Sequence, residues 1–393
     1  MSLERPTVLA LVSYYLPAFK AGGPVVSVSN LRSALASDFE FSIISRDRDL
    51  GEVSSFPNRE IGAWNDTTDG MVFYAAARDT RFRRLVRLMS KTDHDVLFLN
   101  SLFDIDFSIK PLIARRLGLI PRKPLVIAPR GEFAPAALKL KYWKKRLFLG
   151  VARALDLYRD AVWMASSERE ADDIRAGLSR LAPHILIAPD LPRSRTDVTE
   201  GMAGGSAHGG LKIVHLSRIS PMKNLDFGLR ALALVRSVVE FTIFGPIEDA
   251  TYWKTCTNLI SQMPKNIRVS YRGAVLPREV PEVLAAHDLF FLPTRGENFG
   301  HVVVESLSVG TPVLVSERTP WQSGPAHSCT VIPLGAGESE FAEFIDRVAA
   351  MSREQRLAMR SAAAEIGRKA VSDPLVVRDN RDLFVAALSR YGG

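Results

Sequence analysis

At 393 residues the chain is too long for one ordinary hydrophobic core, so two domains are expected. Its 47% hydrophobic and 24% charged content is that of a soluble globular protein and excludes a largely disordered chain, and its two cysteines, Cys256 and Cys329, exclude a disulfide framework and suit a reducing compartment. A net charge of +8 suits an anionic partner without choosing between a nucleotide, a phospholipid surface and a nucleic acid.

The first apolar run, TVLALVSYY, reads as a buried strand rather than the core of a signal peptide. Glu4 and Arg5 cancel before it, Pro17 interrupts it, and no A-x-A-like site ends it. No uncharged apolar run reaches membrane-spanning length. Further runs follow: FEFSIIS, MVFYAA, DVLFLNS, PLVIAPRG, AVWMASS and HILIAP. Several are near-continuous in Val, Ile, Leu and Phe, as strands buried on both faces are. Helix-period segments, such as residues 25–37 and 108–117, lie between them. The alternation predicts a parallel sheet with helices on both faces. After the first strand, Gly22-Gly23 precedes Pro24. Unpaired N–H groups at such a helix start suit a phosphate or sugar oxygen, and a plain tight turn fits the same residues equally well.

Residues 137–155, ALKLKYWKKRLFLGVARAL, form a basic amphipathic segment. Leu140, Trp143, Leu147, Val151 and Ala154 recur at helical spacing, while Lys139, Lys141, Lys145, Arg146 and Arg153 fall mostly on the other side and Lys144 intrudes on the stripe. Three readings stand side by side. The stripe packs on the first domain's sheet, or it lies on an anionic membrane face, or the cations hold the phosphates of a lipid-linked acceptor.

The texture changes at PRSRTDVTEGMAGGSAHGG, which reads as a linker over residues 192–210 between domains at 1–191 and 211–393, with the last helix a candidate to return to the N-terminal domain. Alternation then restarts with LKIVHLS, VEFTIFG, IRVSYRG, DLFFLPT, TPVLVS and CTVIPL. In NLDFGLRALALV, Leu225, Leu229, Leu232 and Val235 share one helical face. The expected architecture is α/β, with two doubly wound Rossmann-like domains facing a central cleft. Ligands in such sheets sit at the carboxyl ends of strands.

Two loops of the second half carry chemistry. In HLSRISPMKN, Arg218 and Lys223 follow a strand and precede a helix. There they neutralise a diphosphate, or they are solvated loop cations. In TRGENFGHVVVE, Glu297 lies just past a strand and Glu305 in the first turns of the next helix. N–H groups near Asn298, Phe299 and Gly300 are placed to donate to ligand oxygens, and a carboxylate accepts two neighbouring hydroxyls, so the stretch suits a polyol beside a phosphate. Glu305 alone also fits as a residue favoured by the helix dipole.

GENFGHVVVE resembles the E-x7-E motif of the retaining GT-B glycosyltransferases of family 4, and Arg218 and Lys223 match that family's SR…P.KN in order and distance. FGPIEDATYWKTC, SERTPW and the Gly22-Gly23 loop are similar to other parts of the same family, over nearly the whole chain. The resemblance implies transfer of a sugar from a nucleotide-diphosphate donor to an acceptor hydroxyl with retained configuration. It implies that Glu305 binds the ribose, Glu297 the donor sugar's hydroxyls, and Arg218 and Lys223 the leaving diphosphate, without a cofactor or metal. The sequence departs from the family at VIAPRGEF, where Arg130-Gly131-Glu132 stands in place of an expected His. Arg130 and Glu132 are therefore the N-domain or acceptor-side candidates.

The implied partners are a nucleotide-diphosphate sugar, a sugar or lipid-linked sugar acceptor and an anionic membrane surface. The implied location is the cytoplasm or the inner face of the plasma membrane, in envelope polysaccharide or glycolipid assembly. A nucleotide-sugar epimerase or sugar phosphorylase shares the architecture, and a basic nucleic-acid-binding protein is the alternative of another class. No nucleic-acid partner is expected, because the aromatic residues form no stacking platform. An NAD-dependent oxidoreductase is disfavoured, because no glycine fingerprint is present. The D-x-D look-alikes, Asp47 to Asp49 and Asp104 to Asp106, read as loop and helix-cap acids rather than metal ligands.

Overall fold

A computed structural model of the protein describes residues 5–68, 70–139, 142–178, 184–193 and 210–391. The chain divides into two compact units, residues 1–191 with 374–393, and residues 192–373. Most of the expected 192–210 linker lies outside the described residues.

In chain order, unit 1 contains β1 (Thr7–Leu11), α1 (Gly23–Ala34), β2 (Glu40–Arg46), β3 (Trp64–Thr67), β4 (Gly70–Ala75), α2 (Phe82–Lys91) and β5 (Val96–Leu99). A π-helical turn at Ile105–Ile109 leads into α3 (Lys110–Arg116), followed by β6 (Leu125–Ile127), α4 (Pro135–Lys139), α5 (Tyr142–Ala154), β7 (Ala161–Ala165), α6 (Glu168–Leu178) and β8 (His184–Ile187). The eight strands are ordered β3-β4-β2-β1-β5-β6-β7-β8. All neighbours pair in parallel except β3, which runs antiparallel to β4 at the edge. Every apolar run named from the sequence in this half is a strand, and β3 is the strand the sequence reading lacks.

Unit 2 contains β9 (Leu211–Leu216), α7 (Leu225–Ala233), β10 (Val239–Phe244), α8 (Ala250–Ile260), β11 (Ile267–Tyr271), α9 (Val280–Ala285), β12 (Leu289–Leu292), α10 (His301–Ser308), β13 (Val313–Ser316), β14 (Cys329–Ile332), α11 (Glu338–Ala350) and α12 (Arg353–Ser372). Its six strands form a parallel sheet ordered β11-β10-β9-β12-β13-β14. The predicted inner face of α7 is buried: Leu225, Leu229 and Leu232 are fully enclosed and Val235 nearly so. Where α12 crosses α10 the backbones approach so closely that a Cβ on Gly367 would lie 2.4 Å from the Ser308 amide nitrogen. Glycine at 367 thus lets α12 seat α10, the helix that carries Glu305.

The order within each sheet fixes where a ligand can sit. In unit 2 the chain leaves β9 towards β10 through α7 and leaves β12 towards β13 through α10. These two helices belong to separate cores on opposite faces of the sheet. The strand order therefore reverses between β9 and β12, and the loops after those strands open a crevice at the carboxyl edge. Unit 1 has the same reversal between β1 and β5.

The last helix, α13 (Pro374–Tyr391), belongs to unit 1, so unit 2 ends at residue 373. Leu383 and Phe384 are fully buried beside Val8, Phe41 and Phe98. The Phe384 ring meets those of Phe39, Phe41 and Phe98 at 5.4, 6.0 and 5.7 Å. Asn380 Nδ2 donates to the Pro189 carbonyl at 2.8 Å. Phe384→Ala would remove this ring from a closed core, at a cost of about 3–5 kcal/mol. Denaturant unfolding should show that loss in the transition of unit 1, with the transition of unit 2 unmoved.

Candidate active site

The residues singled out from the sequence lie past the carboxyl ends of strands: Arg218, Lys223 and Glu297 after β9 and β12 at the reversal point of unit 2, Gly22 and Gly23 after β1, and Arg130 and Glu132 after β6. In unit 2 the loop after β9 is stitched to the loop after β10. Ser217 N donates to the Phe244 carbonyl at 3.1 Å, Ile219 N to Pro246 at 2.9 Å and Glu248 N to Ile219 at 3.2 Å. This brings Arg218 Nη1 within 2.9 Å of Glu248 Oε1, with both side chains about one-third exposed. Beneath them, His215 is fully buried, and burial pushes its imidazole down to about 4. It is therefore neutral. Its Nδ1 lies 3.0 Å from the Phe291 carbonyl, an acceptor only, so Nδ1 carries the proton and Nε2 accepts from Ser217 Oγ at 2.8 Å. One side chain thereby ties β12 to the start of the Arg218 loop.

The rest of that loop is bound to the loop after β12. Arg295 N and Thr294 Oγ1 both donate to the Met222 carbonyl, at 2.8 and 3.1 Å. Asn224 sits in the left-handed region at φ 58°, donates to the Pro293 carbonyl at 2.9 Å and accepts from Arg295 Nε at 2.9 Å. Asparagine tolerates that conformation better than most residues. These ties place Lys223 Nζ 2.5 Å from Glu297 Oε2, with the side chains only 14% and 18% exposed. The ion pair joins two residues that the sequence reading assigned to different parts of one ligand.

Past Glu297 the chain turns through Asn298, Phe299 and Gly300. Glu297 N donates to Arg318 and Trp321 Nε1 to the Phe299 carbonyl, at 3.0 and 2.7 Å. Gly300 adopts φ 79° at the start of α10, and a Cβ there would press on Val303 and Glu297 at 3.1 and 3.3 Å. No side-chain hydrogen bond caps α10 at Gly300, and Val303 N donates to the Gly300 carbonyl at 2.8 Å. Glu305 is half-buried in the second turn of α10. Burial pushes its carboxyl up to about 7, while the charge of Arg193 pulls it back. Among the described residues no side chain hydrogen-bonds the Glu305 carboxylate. Hydroxyl donors arriving there would satisfy it and favour its ionised form.

In unit 1, Gly22 caps α1 at φ 69° and ψ −131°, followed by Gly23 and Pro24. Asp49 holds the approach to that turn by accepting from Phe19 N and Lys20 N at 2.9 and 3.2 Å. Arg130 lies just past β6 at φ 53° and is 9% exposed. Its Nε donates to Asn100 Oδ1 at 2.7 Å and its Nη1 pairs with Asp190. Glu132 accepts from Leu102 N, Phe103 N and Ser101 Oγ at 2.5, 3.2 and 3.1 Å, and burial pushes its carboxyl up. Both residues therefore organise the loops after β5 and β6. Asp104 caps the π-helical turn by accepting from Asp106 N and Phe107 N, and Arg46 bridges Asp104 and Asp106 at 3.0 and 2.9 Å. Asp47 takes Arg48 and Ser55. Both D-x-D look-alikes are thus engaged in loop and cap bonds. Among the described residues no group of three or more His, Cys, Asp or Glu is placed to share a metal ion.

The structure gathers Arg218, Lys223, Glu297, Asn298, Phe299, Gly300 and Glu305 along the reversal point of unit 2. Gly22, Gly23, Arg130 and Glu132 lie in unit 1. Sequence reasoning missed Glu248, His215, Asn224 and Asp190. The left-handed Asn of KN carries a signal of its own, whereas Asp190 is 60 residues from Arg130 and carries none.

Residues 203–324 match the family described as glycosyl transferases group 1. An uncharacterized 41.2 kDa protein in the cps region of Klebsiella pneumoniae is 23% identical over 238 residues, covering 60% of this chain and 63% of that one. A GDP-mannose-dependent α-(1-6)-phosphatidylinositol monomannoside mannosyltransferase of Mycolicibacterium smegmatis is 30% identical over 149 residues, covering 35% and 38%. The chain thus spans less than two thirds of the length of these curated relatives. Among solved structures, Anabaena Alr3699/HepE in complex with UDP and glucose superposes with a TM-score of 0.69 at 16% identity, over 98% of this chain and 100% of that one. WaaG, a glycosyltransferase involved in lipopolysaccharide biosynthesis, gives 0.66 at 14%, over 96% and 99%. At those identities the structural likeness speaks to the fold, and the two parallel sheets with reversal points agree with it. The chain thus carries a match to the glycosyl transferases group 1 over residues 203–324 and has the GT-B fold of two Rossmann-like domains.

Proposed function

We propose that the protein is a retaining glycosyltransferase that moves a sugar from a nucleotide-diphosphate donor to an acceptor hydroxyl in envelope polysaccharide or glycolipid assembly. The observation that carries this reading is the Lys223–Glu297 pair at the reversal point of unit 2, with Arg218 on the same loop and Glu305 on the helix that follows. Support comes from the neighbours: HepE has been solved with UDP and with UDP-glucose, one relative lies in a cps region, and WaaG serves lipopolysaccharide biosynthesis.

In this reading the diphosphate lies against Lys223 and Arg218. Negative charge grows on it as the glycosidic bond breaks, so fixed cations lower the barrier more than they tighten ground-state binding. Glu297 holds Lys223 in place before the donor arrives and accepts from the donor sugar's hydroxyls once it is bound. Glu305 accepts the ribose hydroxyl pair, and the uncapped start of α10 near Asn298, Phe299 and Gly300 donates to donor oxygens. Gly22 and Gly23 offer N–H groups from unit 1, where Arg130 and Glu132 shape the acceptor side. The acceptor is a sugar or lipid-linked sugar, met in the cytoplasm or at the inner face of the plasma membrane. No helix among the described residues is long and apolar enough to cross a membrane.

A screen of nucleotide-sugars for thermal stabilisation identifies the donor, since a ligand that binds only the folded state raises apparent stability. With that donor, Glu297→Gln is expected to abolish transfer in a variant that still folds but melts at a lower temperature, because Lys223 loses its buried partner; near-normal turnover by the folded variant would remove Glu297 from the reaction. Arg218→Ala and Lys223→Ala should each lower kcat by an amount equivalent to about 3 kcal/mol of barrier while weakening a plain nucleoside far less. Equal, mild effects on every ligand would mark them as solvated loop cations. Because the two cations do the work of a divalent metal, transfer should continue in excess EDTA, and strict dependence on added manganese or magnesium would overturn this part.

A further inference from the structure

Charge is unevenly spread along the chain. Residues 78–160 hold 19 Lys and Arg against 8 Asp and Glu, a net of +11, whereas the whole chain is +8. That stretch builds α2, α3 and α5, which lie side by side on one face of the unit 1 sheet. Their inner sides, Leu85 and Met89, Leu112 and Ala114, Leu149 and Ala152, join one core. Ser90 Oγ donates to the Leu119 carbonyl at 3.0 Å and Arg116 Nε to the Leu155 carbonyl at 2.7 Å, so the ends of the three helices form one layer. Its outer side carries exposed cations: Arg81, Arg83, Arg87 and Lys91 around α2, and Lys144 and Arg146 on α5. Among the described residues, Arg81, Arg83, Arg87, Lys91 and Lys144 have no carboxylate within ion-pairing distance.

α5 itself is apolar on two sides. Leu149 and Ala152 are buried in the core, and half-buried Phe148 packs against it. Opposite them, Trp143, Leu147 and Val151, continued past the helix end by Leu155, are 77, 70, 45 and 50% exposed, one turn apart. The stripe seen in the sequence therefore does not pack on the sheet; Leu140 lies outside the described residues. Lys145, placed with the outer cations by its spacing, turns inward, with Nζ on the Ala137 carbonyl at 2.8 Å and 4.6 Å from the centre of the Phe103 ring. Leu117 and Leu119, 64 and 46% exposed at the end of α3, extend the ridge past Leu155.

We propose that this outer face of the α2–α3–α5 layer docks on an anionic lipid bilayer, with the ridge from Trp143 to Leu155 seated at the headgroup–acyl boundary and the arginines of α2 among the headgroups. The charge is complementary to an anionic leaflet, and an exposed Trp and aliphatic ridge flanked by cations is the pattern of an interfacial helix. A nucleic acid would neutralise the cations but leave the ridge against phosphate. A second copy of the same face would meet it with like charge across an unscreened interface. The surface belongs to unit 1 and shares no residue with the candidate site of unit 2, so the proposal does not rest on the reaction assigned there.

The full-length protein is floated at low salt with phosphatidylcholine vesicles and with mixed phosphatidylcholine–phosphatidylglycerol vesicles. It should rise with the mixed vesicles, stay down with the neutral ones, and be released by salt. R83Q/R87Q/K91Q should lower the partition coefficient on the order of 100-fold. W143S/L147S should lower it on the order of 10-fold or more. Both variants change exposed side chains and should melt like the parent, and their melting is recorded to show that they are folded. The proposal is overturned if the parent does not float with mixed vesicles, if it floats equally with neutral ones, or if neither variant changes flotation. It is also overturned if sedimentation without lipid shows a dimer that W143S/L147S dissociates, or if the parent binds an oligonucleotide more tightly than the mixed vesicles.

Discussion

The site hangs on a contact between two loops that are distant in sequence: Lys223 and Glu297 are 74 residues apart and 2.5 Å from one another. Neither loop has regular structure of its own. What brings them together is the pairing of β9 with β12, the one neighbour relation in the unit 2 sheet that skips intervening strands in chain order. Everything else at the site is adjusted to that junction. His215 spans it from below, Asn224 and Arg295 lock it laterally, and α12 crosses α10 at Gly367 so that α10 starts at the right height.

The pairing also sets the electrostatics of the site. A lysine and a glutamate with most of their surface removed from water would each be costly alone, and together they are tolerated. Under the proposed transfer reaction, a diphosphate reaching Lys223 meets a cation already paired and competes with Glu297 for it. Binding in the ground state would thereby be tempered, and the cation's full effect reserved for the more highly charged leaving group. Glu305 has the converse arrangement: among the described residues its carboxylate takes no side-chain hydrogen bond, and burial raises it to about 7.

Much of this was legible in the sequence, for identifiable reasons. Strands buried on both faces write themselves as continuous apolar runs, so thirteen of the fourteen strands could be named. β3 could not, because Trp64–Thr67 is a short polar edge strand with no apolar run. The site loops were legible because reversal points select a few residue types at strand ends. Their partners were less so. Glu248 meets Arg218 only because two parallel strands lie side by side, and the Lys223–Glu297 bond depends on a non-sequential pairing. Helical periodicity located the stripe of α5 but not its direction, because a helix apolar on two sides gives no sign of which side the core will take. The final helix was ambiguous for a related reason. Phe384 and Leu383 fit any apolar face, and only the uncovered side of β1, β5 and β2 decides among them.

That last helix has a consequence for how the molecule is made. Unit 1 is split in sequence, with all of unit 2 inserted between its first 191 residues and its last 20. A ribosome therefore releases the strands and helices of the first half long before the ring of Phe384 exists to cover Phe41 and Phe98. During most of synthesis that apolar face is bare, while unit 2, contiguous from β9 to α12, can close as soon as it emerges. The order of completion in the nascent chain is then the reverse of the order of translation: the second domain can close first, and the first is sealed only once residues 374–391 have left the tunnel.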